Sequence, residues 1–376
     1  MHRRAVASVA LLLVVIAATV GILVARQQPV APPPDNPPGP VNRTLLVQLR
    51  DSRLLAQGSV LMGVEQDTRL VHLWWTGQWW IDQIGVQEVS AAELGRKPVP
   101  YLMDTVQNQV GVRVDDAWVL DRLAFAGLVD AVSGVRLEIP QLTVYLTDKD
   151  TPAVLPAGMR TLTGAQAADY VLDASLVDEQ ERLQRFQAVW DQIVRRFPTD
   201  PDKARTLVVS LGALSKATMP AEQLAVLLAE AHDLRITGAY AEAQVALDAQ
   251  NAVRVRPPQG VRVAYALDPF ATARRVSRVL GAFPGPAEPV ARVAAVAIRS
   301  EAVPEVRSQL LTRSWSSAWG GRAITSATTV TVDPSVPGVD VVNLEQALGI
   351  SPQQAPVPLA DARVAVAPDV TDAMGS

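Results

Sequence analysis

The chain has 376 residues, enough for two domains with sizeable cores, and 49% hydrophobic against 19% charged residues favours folding over disorder. A net charge of −4 leaves no basic stripe for phosphate contact, which argues against a nucleic-acid binder. The absence of cysteine removes disulfides, thiol nucleophiles and thiolate metal sites together.

The first element is apolar. Residues 5–25 (AVASVALLLVVIAATVGILVA) carry no charge, and at about 1.5 Å per residue they span about 30 Å, the hydrocarbon thickness of a bilayer. His2, Arg3 and Arg4 precede the run and only Arg26 follows closely, so the positive-inside rule keeps the N-terminus cytoplasmic. The competing reading is a cleaved signal peptide, but this run is longer than the usual apolar region of one. Both readings export the remainder. Residues 27–40, with seven prolines, form an extended spacer.

Beyond it, Thr44–Leu49, Val60–Val64 and Arg69–Trp75 read as strands, with Arg50-Asp51-Ser52 just past the first, a usual place for functional groups in an α/β sheet. Trp74, Trp75, Trp79 and Trp80 offer two readings: a platform for a sugar or lipid, or a buried strand pair around a Thr-Gly turn. Helical periodicity covers 100–110 and 120–132, Gly134 closes the second helix, and 135–139 resumes as strand. A helix starts at Gly164, a longer one runs from 178 to 196 with Leu183, Phe186, Val189, Trp190, Ile193 and Val194 on one stripe, and 199–215 and 220–232 are two more. His232 falls near the end of the last of these, where a solvated or helix-end role is expected. The Gly/Pro-rich stretch 281–289 marks a boundary. After it come strand 290–298, helix 301–312, strand 328–333, helix 340–348 and strand 363–368, followed by a frayed end at 369–376. Strands alternating with helices indicate α/β or a three-layer sandwich.

Three stretches then carry a family resemblance. Residues 120–140 (LDRLAFAGLVDAVSGVRLEIP) place Phe125, Leu128, Val129, Asp130, Gly134 and Val135 on an "F..LVD.LGGV.V.VP" passage. Gly158, Leu162, Gly164, Ala167 and Tyr170 follow a "G...LdG.qAL.Yv" segment, and Glu179, Arg182 and Arg185 fall on "D..R..RQ". In these the chain resembles the LytR-CpsA-Psr family of envelope proteins, from about Thr44 to Leu280, and its tail more weakly resembles the small LytR C-terminal domain that often follows in actinobacteria.

The resemblance implies four parts: a cytoplasmic stub and transmembrane anchor (1–26), a Pro-rich linker (27–42), a three-layer α/β/α extracytoplasmic domain (43–280) and a small C-terminal α/β domain (290–368). It implies transfer of a glycopolymer from a polyprenyl-pyrophosphate lipid to peptidoglycan with Mg2+, at the cell membrane. It assigns Asp51 to catalysis and the metal, Arg182 and Arg185 to catalysis and substrate binding, and Glu179 to substrate binding.

The chain also departs from the family. Leu172 and Ala174 stand where arginines follow "Yv", residues 73–80 replace an "SIPRD" strand end without an arginine, and Ser59 and Gln57 replace the aspartate and arginine of "aRsDt". Glu179 replaces aspartate and Phe186 replaces glutamine. Losing a phosphate-gripping arginine typically costs on the order of 2–4 kcal/mol of transition-state stabilisation, so the expectation is weak or lost catalysis. A non-catalytic scaffold or lipid-binding accessory is the alternative. Read without the family, Asp178–Arg182 and Glu181–Arg185 are i,i+4 pairs on a solvated helical face, and Asp51 sits in a turn with Ser52.

Overall fold

The computed structural model describes residues 42–65, 67–77, 79–83, 87–173, 178–245, 252–255, 264–285, 293–297, 306, 310, 315, 317–319, 327–357 and 360–366. The apolar run 5–25, the proline-rich stretch 27–40, the end 369–376 and most of the expected helix 301–312 lie outside the described residues. No described helix is long and apolar enough to cross a membrane.

A six-stranded mixed sheet forms the centre. Its strands are β1 (Arg43–Arg50), β2 (Ala56–Glu65), β3 (Arg69–Trp75), β4 (Asp116–Leu120), β5 (Ser215–Ala217) and β6 (Tyr240–Gln244), in the order β5-β4-β1-β2-β3-β6. β1, β2 and β3 form an antiparallel meander, extended on each side by a parallel neighbour, β4 beside β1 and β6 beside β3. β1 and β2 are buried almost throughout because both sheet faces are covered.

Strand alternation divides the core into two layers. Leu45, Val47 and Leu49 of β1 face a layer built by α2 (Arg122–Ala131), α3 (Gly164–Leu172), α4 (Glu179–Arg196), α5 (Pro201–Ser210) and α6 (Ala221–Ile236). Leu46 faces the other layer, supplied by α1 (Val99–Val110) and α7 (Pro269–Leu280). The result is an α/β fold with helices on both faces of one sheet, as expected.

Local chemistry explains the helix that matters most for the site. α4 opens on Asp178, whose carboxylate accepts from the Glu181 amide at 2.8 Å, and its first turn carries Glu179 and Glu181, favourable at the positive end of the helix dipole. It closes on Arg195 and Arg196, and Leu183, Phe186, Val189, Trp190, Ile193 and Val194 are buried along one face. Phe186 lies over Gly58 of β2, where a Cβ would come within 2.6 Å of its ring, so a side chain at 58 would push the helix off the sheet. α3 begins with a full capping box, Thr163 and Gln166 each satisfying the other's backbone.

Several expectations need correction. The expected helix 120–132 starts only at Arg122, behind the N-cap Asp121, and Leu120 ends a strand, Asp116–Leu120, that the sequence reading left unassigned. The expected helix 199–215 ends at Ser210; Gly212–Leu214 is a 3-10 turn and Ser215 already belongs to β5. Trp74, Trp75 and Trp79 are core side chains: Trp74 meets Phe186 edge-on on the α4 side, while Trp75 and Trp79 stack at 5.6 Å on the other. These three rings, divided between two buried layers, make no sugar platform; the side chain of Trp80 lies outside the described residues.

Beyond α7, strands 293–297, 317–319, 329–332, 353–354 and 362–366 form a second, five-stranded sheet with helix α8 (Gly338–Leu348) and its own apolar cluster around Trp315, Val330, Leu344 and Val364. Phe270 of α7 packs against Val357 and Ala360 of this part.

Candidate functional site

The residues singled out by the sequence gather where β1 ends and α4 begins. Asp51 follows β1 directly. Its Oδ1 accepts from the Arg53 amide at 2.9 Å and the Leu55 amide at 2.8 Å, and its Oδ2 accepts from Gln57 Nε2 at 2.8 Å. This arrangement fastens the turn and holds Leu54 at φ +63°. The carboxylate is therefore engaged by donors on both oxygens, with the exposed Arg53 guanidinium 3.5 Å from Oδ2.

Such surroundings do not suit a divalent cation, which needs several unencumbered oxygens. Among the described residues no three His, Asp or Glu side chains gather to hold a metal ion. Asp51 thus serves the turn, with both of its oxygens already taken by donors.

Arg182 is 5% exposed. Its Nη2 stands 3.7 Å from Glu179 Oε1, and its Nε has no hydrogen-bond partner. Burial pulls its pKa down, opposed by the charges of Glu179, Asp51, Asp173 and Asp178, so Arg182 and Asp51 share one neighbourhood. The expected i,i+4 pair with Asp178 does not form, because Asp178 is committed to capping the helix. The helical face is not solvated either: Arg182 and Arg185 are both buried.

Arg185, one turn later, points elsewhere. Its Nη2 bonds Glu181 Oε1 at 2.7 Å, as the spacing predicts, its Nη1 donates to the Tyr170 carbonyl at 3.2 Å, and its plane lies 4.5 Å over the Tyr170 ring. It fastens the end of α3 to α4. Tyr170 meets Tyr145 edge-on, and Arg122 binds Asp169 through Nε at 2.7 Å and Nη2 at 2.6 Å, with Asp148 at 3.5 Å. Together these groups brace α2, α3, α4 and the hairpin formed by 143–146 and 152–155.

Asp51, Glu179 and Arg182 are thus brought together, and Arg185 is turned away into the brace. Sequence reasoning passed over Arg50 as a site residue and did not weigh Arg122 at all. A basic residue at the last position of a buried strand was the available signal for Arg50. His232 donates from Nδ1 to the Val194 carbonyl at 3.1 Å, a helix-packing role. His72 is fully buried between Trp74 and Tyr240, and burial, with Arg235 nearby, lowers its pKa to about 3.

Comparison with known proteins agrees with this fold. Residues 90–241 match the sequence model of the LytR_cpsA_psr family, a stretch that contains Glu179, Arg182 and Arg185 but not Asp51. No curated protein matches the chain in sequence. Among solved structures, TagV of B. subtilis is similar with a TM-score of 0.54 at 10% identity, covering 65% of this chain and 99% of that one. The protein gbs0355 from Streptococcus agalactiae gives 0.52 at 13% identity, covering 66% and 90%. TagT bound to LIIa-WTA gives 0.51 at 18% identity, covering 68% and 96%. At these identities the likeness is one of fold.

Proposed function

We propose, from the premise that this chain resembles the LytR-CpsA-Psr family, that it is a membrane-anchored envelope protein that binds a polyprenyl-pyrophosphate-linked glycopolymer and transfers it to peptidoglycan weakly or not at all. The apolar run 5–25 is the single-pass anchor, the N-terminus is cytoplasmic, and the domains at 43–280 and 290–368 lie outside. One observation carries the reading. Arg182 is a buried guanidinium whose Nε is unsatisfied, the kind of donor that a phosphate oxygen completes. The solved relative TagT, bound to LIIa-WTA, supports a glycopolymer as the ligand class.

Weak turnover follows from what surrounds that donor. Arg185 spends both Nη groups on Glu181 and the Tyr170 carbonyl, with only its Nε unpartnered, and Leu172 has no charge to offer. Each missing charge-assisted contact costs about 2–4 kcal/mol in the transition state, so two such losses slow transfer by several orders of magnitude. The test is the full chain in nanodiscs, given a polyprenyl-pyrophosphate glycan with peptidoglycan as acceptor. The expected result is saturable binding with little release of polyprenyl monophosphate. Rapid release would overturn the loss of catalysis, and absence of binding would overturn the whole reading.

A further inference from the structure

Four polar side chains are buried on one sheet face at the end of β1. Gln48 and Arg50 alternate with Val47 and Leu49, so they point away from the α2–α6 layer; on β2, Ser59 faces Gln48, and Gln57 lies at the bulge where Arg50 pairs with Ala56. Gln48 pairs with Ser59 in register. Their exposures are 1% for Gln48, 8% for Arg50, 8% for Gln57 and 4% for Ser59.

Arg50 is the one charge in this group. Its Nε donates to the neutral Gln48 Oε1 at 3.2 Å, its Nη2 has no hydrogen-bond partner, and among the described residues no carboxylate pairs with it. The neighbouring acid, Asp51, is taken up by the turn and by the Gln57 amide. Removing an ion from water costs several kcal/mol unless a counter-charge is supplied, and arginine does not escape by losing its proton. A methionine would fill the same volume without that cost. Arg50 is nevertheless the last residue of its strand, two positions before the exposed turn 52–54, and its Nη2 is buried without a partner. A buried donor held ready by a glutamine and lacking a counter-ion is built for an anion that arrives from outside. Its planar fork suits a phosphate oxygen pair.

We propose that Arg50, positioned by Gln48, anchors an oxyanion subsite that holds one phosphate group of a lipid-linked pyrophosphate by fixed protein charge and without a divalent cation. The choice of a pyrophosphate rests on the functional reading above. Within it, Arg50 supplies from β1 the positive charge that the encumbered Asp51 cannot recruit as a metal ion.

The experiment is calorimetric titration of the full chain in nanodiscs, with inorganic pyrophosphate and with farnesyl pyrophosphate, each in EDTA and in Mg2+. Both probes are expected to bind in EDTA, with less than a twofold change on adding Mg2+. Arg50→Met is expected to weaken both at least tenfold while its Tm stays equal to the parent's or rises. A purely structural Arg50 predicts the opposite, a lower Tm and unchanged affinity. Should Arg50→Met not fold, Arg50→Lys decides: keeping the charge but losing the fork must weaken pyrophosphate severalfold, and unchanged affinity overturns the proposal. Binding that EDTA abolishes, or no binding of inorganic pyrophosphate, also overturns it. The two readings separate cleanly. If farnesyl pyrophosphate binds regardless of Arg50, this subsite fails and the lipid reading stands. If inorganic pyrophosphate binds through Arg50 and the farnesyl chain adds nothing, the subsite stands and the lipid reading fails.

Discussion

Arg182 and Arg185 stand one helical turn apart on α4, yet the regions they enter are opposites. Around Arg185 nearly every charge has a mate: Glu181 and the Tyr170 carbonyl take its two Nη groups, Tyr170 covers its plane, and Arg122 with Asp169 repeats the pattern next door. Arg182 and Arg50 are buried with looser mates: Glu179 stands 3.7 Å from Arg182 and the neutral Gln48 takes Nε of Arg50, while Nε of Arg182 and Nη2 of Arg50, like Nε of Arg185, have no partner. Paired groups hold helices together; open ones keep binding capacity at the expense of stability. One helix thus carries a tightly paired guanidinium at Arg185 and a loosely paired one at Arg182.

Acid is the broadest way to sharpen that contrast, because arginines do not titrate there. His72 is completely buried, and its pKa near 3 lies below an unfolded value near 6.5. A depressed folded pKa gives stability that is present above the unfolded pKa and lost as pH falls toward the folded one. Denaturant titrations should therefore show a loss on the order of 4 kcal/mol between pH 7 and pH 3 from this group alone. His72→Phe should flatten the slope; an unchanged slope would move the acid sensitivity to the brace. Next in size, Asp169→Ala leaves Arg122 only the 3.5 Å contact with Asp148 and should cost about 3 kcal/mol, read from urea midpoints. A cost under 1 kcal/mol would mean that the brace contributes no stability.

The direct comparison is smaller and more telling. Arg185→Met loses a stacked, doubly bonded guanidinium and should destabilise by about 1–2 kcal/mol. Arg182→Met removes a buried charge whose ion pair with Glu179 is long, 3.7 Å, and should cost less than Arg185→Met, under about 1 kcal/mol, while weakening the ligand. Equal costs would erase the distinction. Smallest of all, Arg53→Ala breaks a 3.5 Å contact on a largely exposed side chain and should change stability by less than about 0.5 kcal/mol.

Much of this was legible in the residues. The stripe from Leu183 to Val194 announces α4, Thr163 and Gln166 announce the start of α3, and β1 to β3 stand out as apolar runs. Short elements were not legible: DAWVL at 116–120 is too brief to separate from the helix behind it, and β5 is three residues held only by pairing with β4. Spacing gave the right partner for Arg185 and the wrong one for Arg182, since a carboxylate at the N-cap has a prior claim from the backbone. The burial of Arg50 depends on which sheet face is covered, a fact of tertiary packing that no local pattern carries.

The order of strands in the central sheet also has a consequence for how the chain matures. β1, β2 and β3 are contiguous and pair as soon as they are made, but the free edge of β1 waits for Asp116–Leu120 and that of β3 waits for Tyr240–Gln244. During synthesis from the N-terminus the meander therefore spends time as a three-stranded ribbon with two bare rims, the second open for 165 residues past Trp75. Such rims recruit other strands. Nascent-chain aggregation should fall sharply once the Tyr240–Gln244 segment has emerged, making β6 the seam that closes the sheet.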